Sequence, residues 1–300
     1  MGRFYHPVAE ISSTPMTDIA LVTFSGLPEL DADDRCLVPA LAARGIRATA
    51  VVWDDPEIDW SCFTVAVVRS TWDYHRRYLE FLAWIERASA VTRLLNPPDI
   101  LRWNSDKSYL QELERKGIPI VPTHWVRQGE AIDLTSTLRE HGTIVVKPSV
   151  SACAARTAIF HAEEGREANA FIHGITLHDD AMVQPFLRSL GEYGEHSLLF
   201  LGGEWSHAVH RRPGLNVPPP PAPAPTAKGI TPHARELALA TKTLEAIGVP
   251  LLYARVDLAR SDAGDPILSE LELIEPSLFM YTAPEACARM VAAIERAQNA

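Results

Sequence analysis

The sequence predicts a mixed α/β protein: an alternating strand and helix unit first, then α+β lobes built around antiparallel hairpins. Three observations carry that prediction. Between residues 18 and 98, apolar runs of strand length alternate with amphipathic stretches. Further on, two strand-like runs flank Gly202-Gly203, and near the end two apolar runs carry acids at alternate positions. With 300 residues, 47% of them hydrophobic, the chain can bury a large core, as one large domain or two to three small ones.

Residues 1–17 show no periodicity and read as a loose N-terminal extension. Ile19 to Phe24, Ile46 to Trp53 and Thr64 to Arg69 read as strands, and Asp34 to Arg44 and Tyr78 to Ala88 as helices. Tyr78, Phe81, Leu82 and Ile85 form one helical stripe, and Gly45 suits a left-handed cap. Alternation of this kind implies a parallel sheet, whose ligands bind beyond the carboxyl ends of its strands. Arg69-Ser70-Thr71-Trp72-Asp73-Tyr74 occupies such an end, and the unit spans 18–98.

Asn96-Pro97-Pro98 breaks the pattern, and a second lobe is expected over 99–183. It should hold a helix from Asp106 to Lys116 closed by Gly117, strands at Ile118 to Val121 and Thr143 to Lys147, a strand ending at Phe160 and a helix from Glu163 to His173. Ala181 to Phe186 reads as a hinge into a third lobe, 184–300. There, Ser197 to Leu201 and Trp205 to Val209 make a hairpin about Gly202-Gly203. Val217 to Thr226 holds six prolines and is open to two readings, a surface linker or an active-site lid. A helix starting at Thr231-Pro232 should stop at Gly248, and a last helix through Val291 and Ile294 should begin with a capping box of Thr282 and Glu285.

Composition excludes several classes. A net charge of −10 with both signs interspersed argues against a nucleic-acid footprint. Cys36, Cys62, Cys153 and Cys287 form no Cys-x-x-Cys pair, which argues against a zinc cluster and fits reduced thiols. No apolar stretch suits a membrane span or a signal peptide, so a cytoplasmic protein is expected, with no membrane partner. A homo-oligomer is left open.

The acids near the end carry the chemistry. Asp257 in Tyr253-Ala254-Arg255-Val256-Asp257-Leu258 precedes Glu270 and Glu272 in Leu268-Ser269-Glu270-Leu271-Glu272-Leu273. Glu270 and Glu272 share a strand face, and a turn through Ser261 to Pro266 can bring Asp257 beside them. Three close carboxylates repel unless a cation lies between them, and hard oxygen donors suit Mg²⁺, which takes further ligands from phosphates. The other reading is a set of solvated acids on the outer face of an antiparallel sheet. Two lysines favour the first. Lys107 in Asn104-Ser105-Asp106-Lys107 and Lys147 at the end of a strand-like run could both meet phosphate oxygens.

In this order and spacing, Lys107, Lys147 with the loop after it, Val183-Gln184-Pro185-Phe186, Arg255-x-Asp257 and Glu270-x-Glu272 resemble the ATP-grasp ligases over residues 18–300. The resemblance implies an N-terminal α/β domain before two lobes that clasp ATP. It implies that Lys107 and Lys147 hold the α- and β-phosphates, that backbone groups around Gln184 and Phe186 meet adenine, and that Glu192 takes the ribose hydroxyls. Asp257, Glu270 and Glu272 would bind two Mg²⁺, although the family more often has Asn at the last position. Arg255 and Arg211 would face the transferred phosphoryl group. The family's phosphate loop is rich in glycine, whereas Ser149 to Arg156 has none, so Ser149 and Ser151 hydroxyls and the Arg156 charge would replace converging N–H groups.

Narrower strings, Arg69 to Tyr74, Gly194-Glu195-His196-Ser197-Leu198, Ser206-His207-Ala208-Val209 and Glu272 to Leu278, resemble the D-cycloserine synthetase group of that superfamily. That likeness implies a small amino-acid substrate, O-ureido-D-serine, activated as an acyl phosphate and closed by its own nitrogen in antibiotic biosynthesis. Arg69, Asp73, Glu275 and Ser277 would then hold its charged groups. The other reading pairs Arg69 with Asp73 structurally, with Trp72 and Tyr74 packed beneath. His207 and His210 invite a general-base role, yet histidines beside a hairpin strand more often pack or face solvent. Rival functions are an intermolecular amino-acid or dipeptide ligase and a nucleotide-binding module without turnover. A dinucleotide oxidoreductase ranks last because no Gly-x-Gly-x-x-Gly follows the first strand.

Overall fold

Residues 18–152, 154–212 and 227–299 are described in the computed structural model. The N-terminal extension, Cys153 and the Val217 to Thr226 segment lie outside the described residues.

The first sheet is parallel, with order β2-β1-β3-β4. Its strands are β1 (Asp18–Thr23), β2 (Arg47–Val52), β3 (Val65–Ser70) and β4 (Arg93–Leu95), with helices α1 (Leu37–Ala42) and α2 (Tyr78–Ser89) between them. Two-residue periodicity splits β1 between two cores: Ile19 and Leu21 pack toward α1, and Ala20 and Val22 toward Phe81, Trp84 and Ile85 of α2. Both faces are covered, which is why the strands read as unbroken apolar runs.

Helices α3 (Pro98–Asn104) and α4 (Tyr109–Arg115) lead to a second sheet of antiparallel order β5-β8-β6-β7. It comprises β5 (His124–Val126), β6 (Thr143–Pro148), β7 (Ala158–His161) and β8 (Ala181–Pro185), with α5 (Thr135–His141) and α6 (Gly165–Thr176) on one face. The stretch expected as a hinge is mostly β8, an inner strand bonded to both β5 and β6. Its run of buried apolar side chains explains that position. Ile118 to Val121 forms no strand, only a bridge of Ile120 to Leu268. Pro119 and Pro122 lack the N–H groups that a ladder needs.

After α7 (Arg188–Glu192) comes a five-stranded antiparallel sheet of order β11-β10-β9-β12-β13. Its members are β9 (Glu195–Leu201), β10 (Glu204–Arg211), β11 (Lys228–Ile230), β12 (Tyr253–Arg260) and β13 (Pro266–Glu272), with α8 (Ala234–Ile247) before β12 and α9 (Ala286–Gln298) closing the fold. The β9–β10 turn uses Gly202 and Gly203 at φ of 63° and 84°, a conformation that side-chain-bearing residues rarely adopt. One face of this sheet packs Leu198, Phe200, Val256 and Leu271 on α4 and α8. The other packs Leu199, Leu201, Val209 and Tyr253 into the core that also holds Ile19, Leu21 and Met290 of α9, so the first and third sheets share a core.

The expected capping box at α9 does not form. Thr282 Oγ1 donates to Phe279 O, and Glu285 instead pairs with Arg289 at 3.1 Å. The chain before α9 is held otherwise: Asp33 accepts the N–H groups of Met280 and Tyr281, both at 2.9 Å. That fixes Thr282 in a separate turn, and the helix starts later.

The outer edge of β13 is closed by side chains and by a short stretch of loop. Asn96 Nδ2 donates to Tyr253 O and Leu273 O, while Asn104 exchanges both its amide groups with Leu271 O and Leu273 N. Tyr109 Oη both donates to Leu271 O and accepts from Leu271 N at 2.9 Å. Leu268 exchanges bonds with Pro119 O and Val121 N. The strand bearing Glu270 and Glu272 is thereby held on both sides.

Candidate active site

Strand register builds the site. Val209, Ser197, Asp257 and Glu270 stand in one row across β10, β9, β12 and β13, and His207, Leu199, Arg255 and Glu272 in the next. Along the strands the same sheet face therefore changes from apolar, at Leu201 and Tyr253, to charged, at Asp257, Glu195 and Arg211. One carboxylate oxygen from each of Asp257, Glu270 and Glu272 lies within 4.8 Å of the others. That spacing and the all-oxygen donor set fit a hard divalent cation.

Arginines bracket Asp257, which is fully buried. Arg255 Nε lies 3.0 Å from it and Arg211 Nη2 2.6 Å. Arg255 also pairs with Glu272, and Arg211 with Glu195 at 3.0 Å. Burial works to raise the Asp257 pKa, but Arg211 and Arg255 outweigh it and bring the carboxyl down to about 2. Glu272 goes the other way: burial pushes it up to about 7 despite Arg255, with Glu270 and Asp257 adding repulsion. Its side chain keeps 26% of its surface exposed, so water softens that shift.

Lysines complete the cluster. Lys107 Nζ sits 3.2 Å from Glu270 Oε1 and donates to the carbonyl and hydroxyl of Ser151. Lys147, on β6, is lowered by burial and by Lys107, with Glu270 opposing. Against burial, both lysines pull Glu270 below its usual range. Asp257, Glu270, Glu272, Glu195 and Glu275 thus face Lys107, Lys147, Arg211 and Arg255. Burial, then Glu272, raises Glu275 well above the usual carboxyl range.

The loop after β6 is tied to the neighbouring turns. Ser149 Oγ donates to Asp106, Ser151 Oγ to Pro148 O, and Arg156 pairs with Asp179. Lacking glycine, it places Ala154 and Arg156 at φ of 55° each, a strain of about 1 to 2 kcal/mol per residue. Gln184 Nε2 donates to Thr123 Oγ1 at 2.8 Å. Phe186 N–H donates to Thr143 O, which takes that donor out of the set expected to meet adenine. Glu192 is exposed at the end of α7.

Arg69 is not paired with Asp73. Its carboxylate partner is Asp34 at 3.0 Å; it also donates to Pro276 O at 2.8 Å and lies 4.7 Å over the Tyr253 ring. Asp73 accepts from Trp53 Nε1 at 2.9 Å. Trp72 Nε1 donates to Glu275 O, and Arg255 Nη1 reaches Ser277 O at 3.4 Å, so the segment after β13 is held from both sides. His207 Nε2 donates to Leu278 O while Nδ1 accepts from Ser206 Oγ, which makes it an anchor. His210 bonds Tyr193 O.

Sequence reasoning missed Glu195 and Ser269. Ser269 is the extra residue of a bulge between the Asp257–Glu270 and Leu258–Leu268 pairs, and its hydroxyl donates to Glu195 at 2.8 Å. The alternation of Glu195, Ser197, Leu199 and Leu201 was a signal that could have found Glu195.

Comparison with known proteins agrees with this architecture. Residues 19–96 match a family model described as the N-terminal domain of D-cycloserine synthetase DcsG. The cycloserine biosynthesis protein DcsG of Streptomyces lavendulae is 32% identical over 290 residues, covering 92% of this chain and 97% of that protein. The crystal structure of D-cycloserine synthetase DcsG superposes with a TM-score of 0.85 over 94% of this chain and 99% of its own, at 32% identity. A RimK domain ATP-grasp protein from Sphaerobacter thermophilus, 20% identical, shares the fold at a TM-score of 0.64 over 93% of this chain and 97% of its own. With the acidic cluster, the lysines and the sheets in place, the chain belongs to the D-cycloserine synthetase family of ATP-grasp ligases.

Proposed function

We propose that this enzyme is a cyclo-ligase that uses MgATP to phosphorylate the carboxylate of O-ureido-D-serine, and that attack of the substrate's own oxygen-bound nitrogen on the acyl carbon closes the isoxazolidinone ring of D-cycloserine, expelling inorganic phosphate, while hydrolysis releases the carbamoyl group as carbon dioxide and ammonia. The observation that carries this reading is the convergence of Asp257, Glu270 and Glu272 with Lys107, Lys147, Arg211 and Arg255, in a chain similar throughout to a cycloserine biosynthesis protein.

Asp257, Glu270 and Glu272 would hold two Mg²⁺, which when bound neutralise charge on the phosphates. Lys107 and Lys147 would bind the α- and β-phosphates. That reading is supported by the Lys107–Glu270 pair at 3.2 Å and by the attraction of Lys147 for the same carboxylate. Arg255 and Arg211 offer planar donors to that group as charge moves onto the substrate oxygen. No side chain need form a covalent bond; orientation and fixed charge carry the rate. Gln184, Phe186 and Glu192 would line the adenosine end, Phe186 through its carbonyl. Ser149 and Ser151 would cover the phosphates and limit water. Glu275 and Ser277, beside Arg255, would hold the amino acid, whereas Arg69 acts on that segment through Pro276 O and Asp73 holds Trp53.

The experiment is ADP release with MgATP across D- and L-serine derivatives, with products examined for ring closure. The expected result is ADP formed with O-ureido-D-serine alone and a cyclic product. Incorporation of an added amine would identify an intermolecular ligase, and absence of ADP with every acceptor a nucleotide-binding module.

A further inference from the structure

Asp257 Oδ2 is crowded by arginine. Arg211 Nη2 lies 2.6 Å from it, Arg255 Nη2 3.0 Å and Arg255 Nε 3.2 Å. A carboxylate oxygen has two lone pairs, so Oδ2 can join a cation only if one of these donors moves away. A buried arginine that left its carboxylate with no other countercharge would be an uncompensated ion, which folds tolerate poorly.

Each arginine has a second carboxylate, and the two differ. Arg255 pairs with Glu272, which converges with Asp257 and Glu270 within 4.8 Å and would itself be needed as a ligand. Arg211 pairs with Glu195 at 3.0 Å, and Glu195 is outside that converging group.

Glu195 is placed to keep a guanidinium. It is buried and stands directly opposite Arg211 where β9 and β10 pair. Gly194 allows that approach, since a Cβ there would lie 2.5 Å from Arg211 O. Ser269, the extra residue of the β13 bulge, fixes Glu195 by donating to Oε1 at 2.8 Å, while Oε2 is the oxygen that meets Arg211. Ser197 Oγ accepts from Arg211 Nε at 2.9 Å, so the guanidinium has two contacts that do not involve Asp257.

We propose that Glu195 is a positioning residue that takes over the Arg211 guanidinium when Asp257 gives Oδ2 to a divalent cation, so that the aspartate is freed without leaving a buried arginine unpaired. This handover rests on the reading of Asp257, Glu270 and Glu272 as Mg²⁺ ligands.

The test titrates Mg²⁺ alone against Tm for wild type, Glu195→Gln, Glu195→Asp, Arg211→Gln and the Glu195→Gln/Arg211→Gln double variant, each verified as folded by its metal-free Tm. Glu195→Gln should raise the apparent Kd for Mg²⁺ by about tenfold, because Arg211 then stays on Asp257. Glu195→Asp keeps the charge but draws it back from Arg211 by one methylene, and should weaken Mg²⁺ by at least about threefold; it decides the matter where the amide variant does not fold. In the Arg211→Gln background the same Glu195→Gln change should alter Mg²⁺ affinity by no more than about twofold, since no guanidinium is left to hand over. An unchanged Kd in Glu195→Gln or Glu195→Asp overturns the proposal. An equal loss with and without Arg211 also overturns it, because Glu195 would then act by its charge alone. If wild type shows no Mg²⁺-dependent rise in Tm, with or without a non-hydrolysable ATP analogue, the metal reading itself fails and takes the handover with it.

Discussion

Arg69 and Arg255 are both buried beside an aspartate and both lie over an aromatic ring, at 4.7 Å from Tyr253 and 5.8 Å from Phe279, yet their surroundings differ. Around Arg69, Asp34 takes one bond from the guanidinium and one from Ser70 Oγ, and the other two guanidinium nitrogens each meet a backbone carbonyl. Around Arg255, Asp257 is shared with Arg211 while Glu272, Glu270, Glu195 and Glu275 crowd the same space. The first cluster gives each guanidinium nitrogen a partner and joins two sheets. The second holds carboxylates at mutual repulsion, which a fold sustains at a cost and a bound cation relieves.

The largest expected effect tests the second cluster. Glu270→Gln should lower the rate of ADP release by about a thousandfold, equivalent to about 4 kcal/mol of transition-state stabilisation, and should abolish the Mg²⁺-dependent rise in Tm. Its Tm without Mg²⁺ should fall only slightly, since the repulsion removed from Asp257 offsets part of the attraction lost to Lys107 and Lys147. A large fall in that Tm would break the contrast. Next comes the closed pair. Asp34→Asn leaves Arg69 buried without its countercharge and should cost about 3 to 5 kcal/mol in urea unfolding, while the folded fraction keeps its kcat within severalfold. A cost below about 1 kcal/mol would show that Arg69 is held by its carbonyls alone.

The smallest effect is one of pH. A carboxyl raised in the fold binds its proton more tightly native than unfolded, so the contribution of Glu272 is whole below about pH 4.5 and is lost as pH rises through about 7. Asp257, depressed to about 2, contributes above about pH 4 and loses that as pH falls toward 2. The metal-free protein should therefore lose stability as pH rises from about 4.5 to about 7, and Mg²⁺ should raise Tm more at pH 8, where Glu272 is ionised, than at pH 6. Equal Mg²⁺ shifts at both values would sharpen the contrast by removing Glu272 from the metal's ligands.

What the sequence shows of this site is what lies close along the chain. Glu270 and Glu272 alternate within a strand, and their turn back to Asp257 is short, so their meeting could be read directly. The Arg69 partner could not. Asp34 lies 35 residues earlier, and only the packing of the turn before α1 against β3 brings it there. Nearby Asp73 satisfied the same charge rule, and the reading that paired the two structurally is overturned. Prolines 119 and 122 were visible in an apolar run, yet that run was read as a strand. The ladder they interrupt belongs to β13, about 150 residues away, so nothing local showed its length. The glycine-free loop carries strain at Ala154 and Arg156, because conformational cost is a property of residue type.

Asn96, Asn104 and Tyr109 also bear on how copies of this protein meet one another. An open terminal strand is a template onto which a second polypeptide can zip, and natural sheets blunt it with charge, proline or cover. Here the amide and phenol groups already occupy the outward bonds of Leu271 and Leu273, and the loop at Pro119 to Val121 takes those of Leu268. Fibril-like growth has no foothold along this border.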